Sequence, residues 1–246
     1  MFGGLALTGL AVAAIVHQAT LPAIAVALIA ALLFVCAERR AGAGAMIPLP
    51  LLRNRRLNVN NAVMMAMTFS MYGVLFLLPL SWLCTGALSA FEAGLALLPM
   101  SLTYVALSHY SGAWSARFGV SPLIVVGMVM IGAGLIALAC TRAGQPVWLA
   151  EPALFATGVG VALGTAPLLA TAVAAVEPAR AGTAAAMVNS ARMVGATLGV
   201  GVLGSVFAAQ GSAAAGFGVA MAIGAAVALA GALLAVSMRT GLQRMQ

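Results

Sequence analysis

The sequence predicts an all-α, polytopic transmembrane helix bundle of about eight spans. Three observations carry that expectation. Hydrophobic residues make up 64% of the 246 residues and charged residues only 6%, whereas a water-facing domain carries about 25% charge. Mean hydropathy is +1.14, so most of the surface must face lipid rather than water. The eleven arginines fall almost entirely in short gaps between long apolar runs, as loops beside a membrane do.

A helix needs about 20 apolar residues to cross the hydrocarbon core. Eight segments meet or approach that length, at 3–17, 21–37, 58–83, 91–114, 120–141, 148–173, 183–208 and 213–237. The first is short, as though the chain begins partway into a helix. It also lacks the basic start of a secretory signal, and a second apolar run follows at once, so it reads as a span. The breaks are HQATLP, the Arg-rich stretch 38–57, CTGALSAF, RFGVSP, TRAGQPVW, EPARAG and QGSAAAG. Each contains the Gly, Pro or polar residues that end a helix or open a turn.

Alternate gaps share a face of the membrane. One face takes Arg39, Arg40, Arg53, Arg55, Arg56, Arg117, Arg180, Arg239 and Arg244, and the other only Arg142. Arginine-rich short loops stay cytoplasmic, which predicts a multi-pass protein of the cell (inner) membrane with both termini inside. Trp82, Trp114 and Trp148 fall near span ends and suit an interfacial belt. The basic excess is thus explained by topology. A nucleic-acid partner would need a solvated basic face with aromatic platforms.

The spans are rich in small residues. Gly160 and Gly164, and again Gly195 and Gly199, are four apart, a spacing that lets helix backbones approach closely, either within the bundle or across a dimer face. Pro79, Pro99 and Pro167 lie inside spans and are expected to kink or open them. Cys36, Cys84 and Cys140 end separate runs; their spacing offers no metal set or disulfide framework, and apolar packing is their expected role. Met64, Met65, Met67 and Met71 form a soft patch on the third span, either gap-filling or able to repack around varied ligands.

Several stretches, taken in order, resemble the fourteen-helix drug:proton antiporters of the major facilitator superfamily. PLPLLRNRRL followed by Asn60 is similar to that family's connector after its eighth helix. EAGLALLPMSLTYVALSHYSGAWSARFG is similar to its tenth helix and the loop beyond. GVGVALGTAPLLATAV and EPARAGTAAAMVNSARMVGATLGVGVLGSVF are similar to its twelfth and thirteenth helices. The resemblance covers nearly the whole chain and implies helices seven to fourteen. Residues 1–37 would be two central linking helices, 38–57 a cytoplasmic connector, and 58–246 the six-helix C-terminal bundle. It further implies a missing N-terminal six-helix half, which carries the family's membrane-embedded acid. In the loop read here as GAWSARFG, the chain keeps Gly112, Arg117 and Gly119 but has Ala113 and Ala116 where family members often carry Arg and Asp. That departure weakens a charge-relay role and leaves Arg117 a topological one.

Proton coupling needs a titratable group inside the membrane. Glu38 and Glu177 fall in cytoplasmic gaps, while Glu92 and Glu151 sit at outer span ends. There each lines the mouth of a cavity or is simply hydrated. His109 is well inside a span and offers either a proton relay or a neutral hydrogen bond between helices. Arg192 falls near the expected midplane, where an arginine costs about 2.5–3.5 kcal/mol. Asn189, Arg192, Gly195 and Gly199 should form a polar and small stripe turned into the bundle. Arg192 then either holds helices together or lines a substrate or ion pathway.

Enzyme readings find no support: there is no lysine, no aspartate and no His-Glu-x-x-His motif, so neither a Walker site nor a zinc site is expected. No cofactor or metal is implied. Two functions follow as expectations. One is the C-terminal part of a proton-coupled exporter of lipophilic or cationic drugs, its partners being the bilayer, substrate, protons and the missing half. The other is a truncated or non-transporting membrane scaffold or subunit.

Overall fold

Asn54 opens the first helix because its side-chain oxygen accepts the backbone N–H groups of Arg56 and Leu57, at 3.1 and 3.3 Å, satisfying donors that a helix start leaves free. The computed structural model describes residues 54–141, 147–210 and 213–243. From Asn54 the chain runs through α1 (Arg55–Cys84), α2 (Ala90–Ala96), α3 (Leu98–Phe118), α4 (Val120–Ala139), α5 (Glu151–Ala174), α6 (Ala181–Ala209) and α7 (Ala213–Gln243). Single 3-10 turns at Val147–Leu149 and Pro178–Arg180 precede α5 and α6.

All described elements are helical, and six stretches are long and apolar enough to cross a membrane: Arg55–Cys84, Ala90–Phe118, Val120–Ala139, Val147–Ala174, Pro178–Ala209 and Ala215–Ser237. In lipid every backbone polar group must be satisfied within the segment, which leaves the helix as the form for such apolar runs. These six match the last six expected spans. The two spans expected at 3–17 and 21–37, and connector residues 38–53, lie outside the described residues.

Two punctuations shape the bundle. Ser89 and Glu92 form a reciprocal capping box that starts α2. Pro99 then stands in the first turn of α3, where its missing N–H is no loss, and the span breaks into α2 and α3 there rather than bending. Pro79 and Pro167 stay inside α1 and α5. Gly119 joins α3 to α4 with φ +89° and ψ 152°, a backbone region open in practice only to glycine.

α1 is the centre. Leu57, Val63, Met64, Met67, Val74, Leu77 and Leu78 are buried along it, and α5, α6 and α7 all pack on it. Helix directions follow from paired contacts. Asn54 Nδ2 donates to the Ala175 carbonyl just past α5, 2.9 Å away, and Ser70 Oγ donates to the Gly224 carbonyl of α7 at 2.8 Å. Ser121 Oγ donates to the Ala235 carbonyl at 3.3 Å. α1 and α4 therefore run together, and α5 and α7 run against them.

Glycines set the closest crossings. An added Cβ on Gly127 of α4 would lie 2.6 Å from the Gly160 carbonyl oxygen of α5. On Gly164 it would lie 2.8 Å from Met67 Sδ of α1. On Gly195 and Gly199 of α6 it would overlap the carbonyls of Met65 and Phe69. Both four-residue glycine pairs thus serve packing within this bundle. Met64 and Met67 fill its core, while Met65 and Met71 are half-buried. Cys84 and Cys140 are free and exposed, not packed as expected: Cys84 is the last residue of α1 and Cys140 the C-cap of α4.

Candidate functional site

The helix directions sort charge by end. Arg55, Arg56, Arg117 and Arg180 lie at one end of the bundle with Glu177, and Glu92 and Glu151 lie at the other. Arg192 alone among the described arginines lies within the helical stack.

Gly195 meets Met65 and Thr68 of α1, and Gly199 meets Phe69, so α1 and α6 run in the same direction. Arg192, three residues before Gly195, is therefore level with Ala62, three residues before Met65, and within one residue of Asn61. That level is about 10 Å above the Arg55 end of α1 at 1.5 Å per residue. Arg192 stands three residues before the middle of α6, on its arginine-rich side.

The expected stripe is only partly realised. Gly195 and Gly199 are buried, Arg192 is half-buried, and Asn189 is exposed. Three-residue steps fall 60° short of a full turn, so the stripe drifts from the α1 contact as it runs back to Asn189.

Arg192 Nε is buried without a hydrogen-bond partner, as is Asn61 Oδ1, and Asn60 is wholly buried with both amide atoms unpaired. Ser111 Oγ is unpaired too, but other buried hydroxyls are satisfied: Thr68 Oγ1 donates to the Met64 carbonyl at 3.0 Å and Thr157 Oγ1 to the Ala153 carbonyl at 2.8 Å. A hydroxyl reaches back to its own helix. Asn60 and Asn61 are residues that sequence reasoning passed over; Asn60 was noted only as the opening of a span. The signal was present, since two adjacent asparagines inside an apolar run are costly unless partnered.

The remaining candidates do not join this group. His109 is exposed on α3, its ring edge-on to Tyr110 at 5.6 Å, and Tyr110 stacks on Trp114 at 6.1 Å. It does not bridge helices. Glu92 is exposed, bound to the Ser89 N–H and hydroxyl, both at 2.8 Å, so its local role is capping. Glu151, the first residue of α5, is half-buried with Oε2 unpaired. Gly112 has open space around its Cα, and Arg117 is exposed with its guanidinium 5.4 Å from the Phe118 ring. Among the described residues no group of three or more His, Cys, Asp or Glu could hold a metal ion.

No family model matches the chain. It is similar to a methylenomycin A resistance protein of Streptomyces coelicolor, 28% identical over 186 residues, covering 76% of this chain and 39% of that protein. It is also similar to the multidrug resistance protein Stp of Mycobacterium tuberculosis, 32% identical over 177 residues, with 72% and 33% covered. The tetracenomycin C resistance and export protein of Streptomyces glaucescens is 30% identical over 195 residues, with 78% and 35% covered. The chain thus spans between a third and two fifths of the length of these relatives; others are named as transporters and not enzymes, among them the multidrug transporter protein MdtP of Bacillus subtilis, 25% identical over 187 residues with 76% and 34% covered. The chain matches the C-terminal portion of the drug efflux transporters of the major facilitator superfamily.

Proposed function

We propose that the chain is the C-terminal part of a proton-coupled secondary transporter that exports lipophilic or cationic drugs. The observation that carries this reading is the partial match to drug-resistance and export proteins over a bundle of six membrane-length helices. Residues 1–37 add two linking spans, making eight, 38–57 form a cytoplasmic connector, and 58–246 form the transporting bundle. Both termini lie in the cytoplasm and the protein resides in the cell membrane.

Uneven burial supports a missing N-terminal half. α1 and α5 are well enclosed, whereas α3 buries only Met100 and Ser111 and leaves Leu102, Val105 and Tyr110 exposed. α6 likewise turns Asn189, Ser190 and Met193 outwards. Polar groups such as His109 and Asn189 are costly against lipid tails, so these faces fit a second six-helix bundle, with substrate passing between the two.

A second reading, a non-transporting scaffold or subunit, is favoured by one observation. The four glutamates of the chain, Glu38, Glu92, Glu151 and Glu177, all fall at span ends or in gaps, so proton coupling would need an acid from elsewhere. Ethidium efflux separates the two. Inverted vesicles holding the chain together with an N-terminal half should move ethidium when a proton gradient is imposed. Arg192→Ala in that assembly should abolish movement while leaving membrane insertion intact. Gradient-insensitive vesicles would support the scaffold, and full efflux by the variant would assign Arg192 to packing.

A further inference from the structure

We propose that Arg192 and Asn61 form a binding site for a small carboxylate at the α1–α6 interface. The site is a matter of binding and stands whether or not the chain transports.

The residues are brought together by the glycine crossing. Gly195 and Gly199 let α6 lie backbone to backbone against α1 at Met65 and Phe69. One turn earlier the glycines end, and the two helices present Arg192 and Asn61 within one residue of the same level. Of the six buried side-chain atoms left without a hydrogen bond among the described residues, Arg192 Nε and Asn61 Oδ1 lie at this contact, whereas Asn60 is on the face of α1 that carries Met67 towards α5. Thr68 and Ser70 of α1 are satisfied, Thr68 by its own helix and Ser70 by the Ala66 and Gly224 carbonyls at 3.1 and 2.8 Å. Folded proteins keep such groups paired, and two unpaired ones facing each other across one interface indicate something that completes them.

Charge selects the class of ligand. Glu92 and Glu151 are at the opposite end of the bundle, and Glu177 is exposed in the turn before α6. No acid of the described residues stands at the level of Arg192. A guanidinium whose Nε is buried without a partner calls for an acceptor, and its planar fork suits the two oxygens of a carboxylate. An asparagine amide presents either its NH2 or its oxygen after a half-turn, so Asn61 can add a donor to the same anion. The path of entry is the exposed side of α6, because Arg192 is only half-buried and Asn189 and Met193 beside it are exposed.

The test uses the full chain in lipid nanodiscs, labelled with 15N-arginine, and follows the Nε–H resonance that disappears in Arg192→Lys. Sodium benzoate is the probe and sodium chloride at equal ionic strength the control. We expect a saturable movement of that resonance with benzoate and none with chloride, and an affinity about tenfold weaker in Asn61→Ala, the loss expected for one hydrogen bond to a charged group. Asn61→Asp places a carboxylate in the site: its Arg192 resonance should already be displaced without benzoate, and benzoate should no longer bind. Helix content by circular dichroism checks that each variant folds. Absence of saturation, equal movement with chloride, or undiminished benzoate binding in Asn61→Asp would overturn the site.

Discussion

A single glycine decides how closely two helices of this chain can lie. At Gly199 any side chain would meet the Phe69 backbone, whereas Gly112 has no atom within contact distance of an added Cβ. Gly199→Leu should therefore destabilise the bundle by about 3 kcal/mol, the upper range for overpacking, and Gly112→Leu should leave it unchanged. Unfolding midpoints in mixed detergent micelles measure both; equal midpoints would mean that the α1–α6 crossing is looser than the structure has it. The spacing of Gly195 and Gly199 was legible in the sequence, because small residues four apart permit close approach. Which helix they meet was not, since glycine carries no information about its partner. Arg192 was legible as an anomaly for the cost of its charge. Its level against α1 and its nearness to Asn61 depended on the stagger of α6 against α1, which no local pattern encodes.

At the scale of elements, helix ends were readable and helix faces were not. The described spans begin and end within a few residues of the expected breaks, because Asn54, Ser89, Gly119 and Pro178 act locally as caps and turns. Facing was obscure because these helices are apolar all round, as helices in lipid are. Polar contacts between elements are few, so each is measurable. Ser70 on α1 is buried and donates to the α7 carbonyl of Gly224. Ser70→Ala should cost about 0.6 kcal/mol, the average for a hydrogen bond between membrane helices. A small fall in the unfolding midpoint would show it, while an unchanged midpoint would assign α1–α7 cohesion to packing alone. The break at Pro99 belongs here as well: the sequence foretold a disturbance, but the capping box at Ser89 and Glu92 turned it into a separate short helix.

For the whole molecule, composition already required lipid as the main solvent, and six membrane-length helices agree with that requirement. The arrangement around α1 depends on contacts far apart in sequence and came only from the structure. Sidedness connects the scales. Arg55, Arg56, Arg117 and Arg180 end at one pole, and the exposed Cys84 and Cys140 end at the other. Arginine-rich ends are retained in the cytoplasm, so the cysteine pole should face outwards. Labelling of single-cysteine variants in intact cells with a membrane-impermeant maleimide tests this most directly. Cys84 and Cys140 should react in intact cells, and a cysteine in place of Arg56 only after permeabilisation. Reaction of Arg56→Cys in intact cells, with Cys84 and Cys140 protected, would contradict the orientation on which the transport reading rests.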